Sequence, residues 1–259
     1  VVDRVTIILP VSRKEYIHQV FASLEMLECD RERTNLLVIV DGKPDLFVEA
    51  RNFCEGSKFD QKLCLEFKSK HVLRHFDIPG RRMRISDIHN FAKQHIINCD
   101  YVFGVEDDTI IPPHALKNLK RTFGLNPFAG FVSGIELGRW GIPHVGAWRV
   151  DDVYQVDRIE SIDVGEGIEE VDAGGFYCFI TKADYYKNHD FKPFERNALG
   201  PDFDFGIELR RAGHVNLVDW SVQCTHKTKD QDIRVFNTEV RKVIFERNDT
   251  GRFRQTQSK

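Results

Sequence analysis

Glu106, Asp107 and Asp108 follow directly on the run Tyr101-Val102-Phe103-Gly104-Val105. That run has the length and apolarity of a short buried strand. The acids therefore sit at a strand's carboxyl end, where open α/β sheets place their ligands. Carboxylates crowded there repel one another and lose hydration, a cost that a cation or a polyhydroxy ligand offsets. The competing reading is an acidic strand-to-helix loop, with Asp108 or Thr109 near a helix start. Asp41, the segment PDFDFGIELRRAG (201–213) and His226 are the other places where residue type suggests chemistry.

These residues need elements to position them. Val5 to Leu9 is a β-rich run ending at Pro10, and Ser12 and Glu15 have the spacing of a capping box before a helical stripe of Ile17, Val20, Phe21, Leu24 and Leu27. Leu36 to Val40 reads as a second buried strand, ending at Asp41-Gly42, and Leu63 to Phe67 as a third. The basic stretch Gly80 to Arg84 leads to Ser86, an expected N-cap for a helix carrying Ile88, Phe91, Ala92 and Ile96. After the acids come Ile110-Ile111-Pro112-Pro113 and a helical pattern with Leu116, Leu119 and Phe123 on one face. Such alternation predicts a doubly wound, mostly parallel sheet flanked by helices.

The second half differs. Phe131 to Glu136 and Phe176 to Thr181 read as strands, separated by a long segment containing Trp140, Pro143, His144, Trp148, Arg149, Asp151, Asp152, Gly165 and Gly167. Irregular segments of that length are usually functional or mobile. Pro201 to Ala212 reads as a helix stopped by Gly213, Val215 to Asp219 and Ser221 to Thr225 as short strands, and Asn237 as the cap of a final helix through Val240, Val243 and Ile244.

A chain of 259 residues fits one large α/β domain. The net charge of −3 gives no bulk electrostatic drive toward nucleic acid. The 20 phenylalanines suggest an aromatic core. The six cysteines include no C-x-x-C pair, which points to reduced thiols and a cytoplasmic setting. No apolar run approaches the ~20 residues of a membrane span.

Asp41 after the second strand, the acidic cluster, PDFDFGIELRRAG and the late His226 occur in an order that resembles the GT-A glycosyltransferases, particularly the inverting family 2 type. The resemblance runs from about residue 5 to 226. It implies a single GT-A domain: a nucleotide-sugar half (1–108), an acceptor and catalytic half (109–236), and a C-terminal helix and tail (237–259). It also implies transfer of a sugar, of hexosyl type, from a nucleotide sugar, expected to be a UDP-sugar, to an acceptor hydroxyl.

The residue roles follow from the same resemblance. Asp108, in a DXD-like motif, and His226, unless it is only a surface or structural histidine, would ligate Mn²⁺ or Mg²⁺, with Asp107 and Glu106 supporting them at ribose or metal-bound water. Pro10, Ser12 and Arg13 would lie against the base, and Asp41 would accept a hydrogen bond from base or ribose unless it is only a turn residue. Arg81, Arg82 and Arg84 either complement the diphosphate or form a solvated basic face. Gly174 and Gly175 would let backbone approach the sugar, and Trp140 and Trp148 either stack on an acceptor ring or pack in the core. Asp202 would be the general base, with Asp204 in support, although Pro201 stands where the family has Glu and both acids also suit a helix N-terminus. A retaining transferase, a nucleotidyltransferase and a non-catalytic nucleotide- or carbohydrate-binding protein are the alternatives. The loop Pro10 to Lys14, without glycine, argues against the second of these. The acceptor stays open among glycans, proteins, small molecules and modified nucleobases.

Overall fold

The computed structural model describes residues 3–41, 44–69, 78–96, 98–136, 145–150, 160–161, 165–194, 199–227, 243–247 and 253–257. The chain begins with a βαβαβ run: β1 (Val5–Val11), α1 (Ile17–Glu25), β2 (Thr34–Asp41), α2 (Pro44–Gly56) and β3 (Lys62–Phe67). Next come α3 (Ile78–Ala92), β4 (Tyr101–Val105), β5 (Thr109–Ile110), α4 (Ala115–Leu125) and β6 (Ala129–Glu136). The short strands β7 (Ala147–Arg149), β8 (Glu160–Ser161), β9 (Ile168–Val171) and β10 (Ala173–Gly174) precede β11 (Cys178–Lys182) and α5 (Ala183–Asn188). The last elements are α6 (Pro201–Arg211), β12 (Val215–His226), β13 (Val243–Arg247) and β14 (Phe253–Gln257).

The central sheet has the order β3-β2-β1-β4-β11-β6-β12-β5, with β9 also pairing β12. β3, β2, β1 and β4 are parallel, β11 runs against β4 and β6, and β6 and β12 are parallel. The sheet is thus mixed and mostly parallel, as expected from the alternation of elements. After β1 the chain builds outward through β2 and β3, then returns to place β4 on the other side of β1. This reversal opens a crevice at the carboxyl ends of β1 and β4. Ser12-Arg13 leaves one of those ends and Glu106 to Asp108 leaves the other.

Side chains alternate across each strand. Ile7, Leu9, Val38, Val40, Phe103 and Val105 face one way into a core with Leu24, Leu46, Ala50 and Leu119. Ile8, Leu37, Ile39, Val102, Phe131 and Phe179 face the other way, against Ile88, Ala92, Tyr186, Phe205 and Leu209. The second core is the aromatic one: Phe131 stacks on Phe179 at 5.3 Å and Phe176 on Phe179 at 4.6 Å.

Several local expectations need correction. α1 starts at Ile17 behind Tyr16 with no side-chain cap, and Ser12 donates its hydroxyl to Asp107 instead of closing a capping box. α3 begins at Ile78, so Ser86 lies within it and donates to the Arg82 carbonyl. Arginine is a good helix former, and a basic stretch that reads as a leader is the first half of the helix. α2, unmarked in the sequence reading, buries Leu46, Ala50 and Cys54 at four-residue spacing.

The two strands read between Val215 and Thr225 are one, β12, with its pairing to β6 interrupted between Val218 and Gln223. The expected final helix fails at Val243 and Ile244, which pair with Gln257 and Thr256 in a hairpin. Its apolar residues are β-branched, a type that suits strands as readily as helices. The rest of that stretch, with Asn237 and Val240, lies outside the described residues, as do Gly42, Trp140, Pro143, His144, Asp151 and Asp152. Among the described residues no helix is long and apolar enough to cross a membrane.

Candidate active site

β4 delivers the acids, and β5 makes them a site. Immediately after Asp108, β5 pairs antiparallel with the end of β12, so that Thr109 stands opposite His226. The Lys227 amide donates to the Asp108 carbonyl at 2.7 Å, closing the junction. His226 Nε2 lies 3.0 Å from Asp108 Oδ1 and 3.7 Å from Glu106 Oε2. Glu106, Asp108 and His226 thus present ligand atoms within 4.8 Å of one another.

Asp107 faces elsewhere. One of its oxygens accepts from the Ser12 amide (2.6 Å), the Ser12 hydroxyl (3.1 Å) and the Arg13 amide (2.8 Å). The other accepts from Arg13 Nε (2.8 Å) and Nη2. Asp107 thereby pins the loop after β1. Arg13 also bonds Asp108 through Nη1. Burial draws the Arg13 guanidinium down, but the charges of Asp107, Asp108 and Glu106 outweigh it and raise it above its ordinary value. It is a permanent counter-charge to part of the cluster, and it leaves Asp108 Oδ1 on the side of His226.

Glu136, absent from the sequence-derived candidates, is the residue they lack. It ends β6, the parallel neighbour of β12, in register with Cys224. Its carboxylate meets His226 Nδ1. A single acid at the end of an apolar strand carries no motif, so only the β6–β12 pairing reveals it.

α6 packs against β10, β12 and β6. Pro201 occupies its first turn, where a missing N–H costs nothing, with Asp202 and Asp204 behind it. At the other end the His214 amide bonds the Leu209 carbonyl and the Gly213 amide bonds Arg210. This is a Schellman stop, made possible by Gly213 at φ +85°.

The two acids of α6 part company. Burial pushes the Asp202 carboxyl up to about 6 against the pull of the Phe203 and Asp202 amides and Arg82, and the charge of Glu136 adds to the rise. Asp202 therefore feels both Glu136 of the acidic site and Arg82 of α3. Asp204 is turned inward, 3% exposed, with its Oδ2 3.3 Å from His189 Nε2. It supports the aromatic core and does not line the site.

The remaining candidates are placed as follows. Arg84, expected at the diphosphate, pairs with Asp41, which is buried and also accepts from the Ser69 amide at 3.4 Å. Arg81 is exposed, and burial draws Arg82 down against the opposing pull of Asp202. Pro10 sits in β1 opposite Ile39. Gly174 ends β10 opposite Ala147, and the Gly175 amide donates to the Gly146 carbonyl at 2.7 Å; two residues on, the Tyr177 carbonyl accepts from the Glu106 amide. A Cβ on Gly174 would lie 2.7 Å from Phe131 and Ser133 atoms, so close packing on β6 already requires glycine there. Trp148 meets Phe203 edge-on at 6.1 Å and belongs to the packing under α6. A shallow groove bounded by Phe67, Lys68, Asp87, Asn90, Phe91 and Gln94 includes none of the acidic residues.

What fixes α6 against the site is a close approach at Gly206. A Cβ there would lie 2.8 Å from the Ala173 Cα and Cβ and 3.0 Å from the Asp172 carbonyl. Asn216 bonds the carbonyls of both Asp172 and Gly206 at 2.7 Å, and Arg210 pairs with Asp172. In an open helix Gly→Ala stabilises by about 1 kcal/mol; here overpacking against backbone costs about 1–3 kcal/mol. Gly206→Ala is therefore expected to lower stability, measured by urea unfolding. A gain would show that α6 can shift freely.

No protein-family profile matches the chain, and no curated protein matches it. Among solved structures it is similar to the mannosyltransferase PcManGT from Pyrobaculum calidifontis in complex with GDP-Man and Mn²⁺, with TM-score 0.63, 15% identity and coverage of 90% of this chain and 59% of that one. It is similar to S. aureus TarS at TM-score 0.58 and 14% identity, over 92% of this chain and 39% of that one. It is also similar to TarS 1-349 in complex with UDP-GlcNAc, at TM-score 0.58 and 13% identity, over 92% and 66% respectively. The chain spans less than two thirds of each of these proteins. Sheet order, crevice and these likenesses agree on one architecture: the chain has the GT-A-like glycosyltransferase fold.

Proposed function

We propose that the protein is a divalent-metal-dependent glycosyltransferase that moves a hexosyl group from a nucleotide sugar to an acceptor hydroxyl with inversion. The observation that carries this reading is the β5–β12 pairing, which brings His226 to Asp108 and Glu106 in the switch-point crevice. The donor set fits a metal. Carboxylate oxygens suit Mg²⁺ and Mn²⁺, and an imidazole in the set favours Mn²⁺. Glu106, Asp108 and His226 would hold the ion. When bound, it would neutralise the negative charge that develops on a leaving diphosphate.

The chain's own residues do the rest. Ser12 and Arg13, fixed by Asp107, line the donor side with Asp41. Asp202 accepts the acceptor's hydroxyl proton as the oxygen attacks the anomeric carbon. The bond from that carbon to the diphosphate oxygen breaks and its electron pair leaves with the nucleoside diphosphate, so the anomeric centre inverts. A carboxyl raised to about 6 by burial is mostly ionised at neutrality yet a stronger proton acceptor than an ordinary carboxylate, which suits a base. A retaining reaction needs no such base, and this favours inversion.

We take a UDP-sugar as the first donor to test and a GDP-sugar as the second, because the similar solved structures hold one of each. The six free cysteines fit a cytoplasmic setting. Incubation with UDP- and GDP-sugars and Mn²⁺ should release the nucleoside diphosphate, quantified by mass spectrometry, and EDTA should stop the release. Release unaffected by EDTA would remove the metal from the mechanism.

A further inference from the structure

We propose that Glu136 is a positioning residue that sets the orientation and tautomer of His226, so that Nε2 and not Nδ1 is presented to the metal. This rests on the reading that Glu106, Asp108 and His226 hold a divalent cation.

The geometry is directional. The two ring nitrogens of His226 face different carboxylates. Nδ1 meets Glu136, and Nε2 faces Asp108 Oδ1 at 3.0 Å and Glu106 Oε2 at 3.7 Å. Glu136 is 3% exposed and His226 7%, so neither side chain has bulk water in which to rearrange. Tyr177 lies beside the imidazole, with ring centroids 6.1 Å apart. Its hydroxyl is spent on the carbonyls of Gly134 and Val145, each at 2.8 Å.

A carboxylate accepts and cannot donate, so Glu136 demands a hydrogen on Nδ1. That leaves the Nε2 lone pair for a cation among Asp108 and Glu106. An acid at this point of β6 would otherwise be costly, since it adds a further negative charge beside the cluster. Holding a ligand histidine is the function that repays it, and outer partners of this kind are worth about 10–100-fold in metal affinity.

Two measurements test the proposal. Mn²⁺ binding to the purified chain, followed by the EPR signal of free Mn²⁺, is compared for the native protein, Glu136→Gln and Glu136→Asp. The amide of Glu136→Gln keeps the shape and can offer a donor to Nδ1, so its dissociation constant should rise about 10–100-fold while the native far-UV CD is kept. Glu136→Asp, which keeps a charged carboxylate that accepts from Nδ1–H and cannot donate, should recover part of the loss. Equal affinity in Glu136→Gln and the native protein would overturn the proposal and leave the transferase reading standing. No Mn²⁺ binding by the native protein would overturn both.

The second measurement needs no variant. With Cd²⁺ as a diamagnetic stand-in, ¹H–¹⁵N spectra of the native protein should show the His226 ring proton on Nδ1. A proton on Nε2 would contradict the assignment.

Discussion

Asp108→Asn is expected to abolish Mn²⁺-dependent nucleotide binding and to lower sugar transfer by about 10³-fold, corresponding to about 4 kcal/mol of lost stabilisation of the leaving group. Asp108 is fully buried and is the residue through which the cluster's parts meet. Its Oδ1 faces His226, its Oδ2 takes Arg13, and its carbonyl accepts the Lys227 amide. The amide substitution keeps the shape and the backbone bond while removing the charge. Arg13 stays attached to Asp107, so the loop after β1 should hold and the thermal midpoint should change little. Nucleotide release from the donor and calorimetric titration of Mn²⁺ measure the two effects. A variant that retains Mn²⁺-dependent activity would move the metal away from this cluster.

Asp202→Asn is the second large effect, and it separates chemistry from binding. Transfer should fall by about 10²–10⁴, the range for losing a positioned general base, while Mn²⁺ and nucleotide bind as before. The pH dependence carries the same signature. Burial raises the carboxyl to about 6, and the base works only when ionised. In the native protein log(kcat/KM) should therefore climb with a slope of about one below pH 6 and level off above it. In Asp202→Asn that limb should vanish. A limb that persists unchanged would assign the titration to another group, and an unchanged rate would remove Asp202 as the base and favour a retaining transferase of the same fold.

The parts of this arrangement legible in the sequence are those written locally. β1, β2 and β4 are continuous apolar runs, and the acids, Asp202 and His226 each sit at an element's end, where their types stand out. The ordered combination of these points announced the fold. The parts that escaped are relations between distant segments. Nothing near Asp107 says that its oxygens serve Ser12 and Arg13, and nothing near Arg84 says that it pairs with Asp41. Asp202 and Asp204 look alike in sequence, yet the helix turns one toward the site and the other into the aromatic core beside His189. Glu136 required knowing that β6 and β12 are parallel neighbours in that register. The hairpin of β13 and β14 was misread because β-branched residues at near-helical spacing are ambiguous without the pairing partner.

On the proposed function, a cation held by Glu106, Asp108 and His226 would bind a nucleoside diphosphate in the crevice between β1 and β4. Calorimetric titration of UDP, and then GDP, into the native protein with Mn²⁺ and again with EDTA tests it most directly. Saturable binding of one of the two nucleotides with Mn²⁺, and loss of that binding in EDTA, is the expected result. Equal binding with and without metal, or no binding of either nucleotide under both conditions, would contradict it.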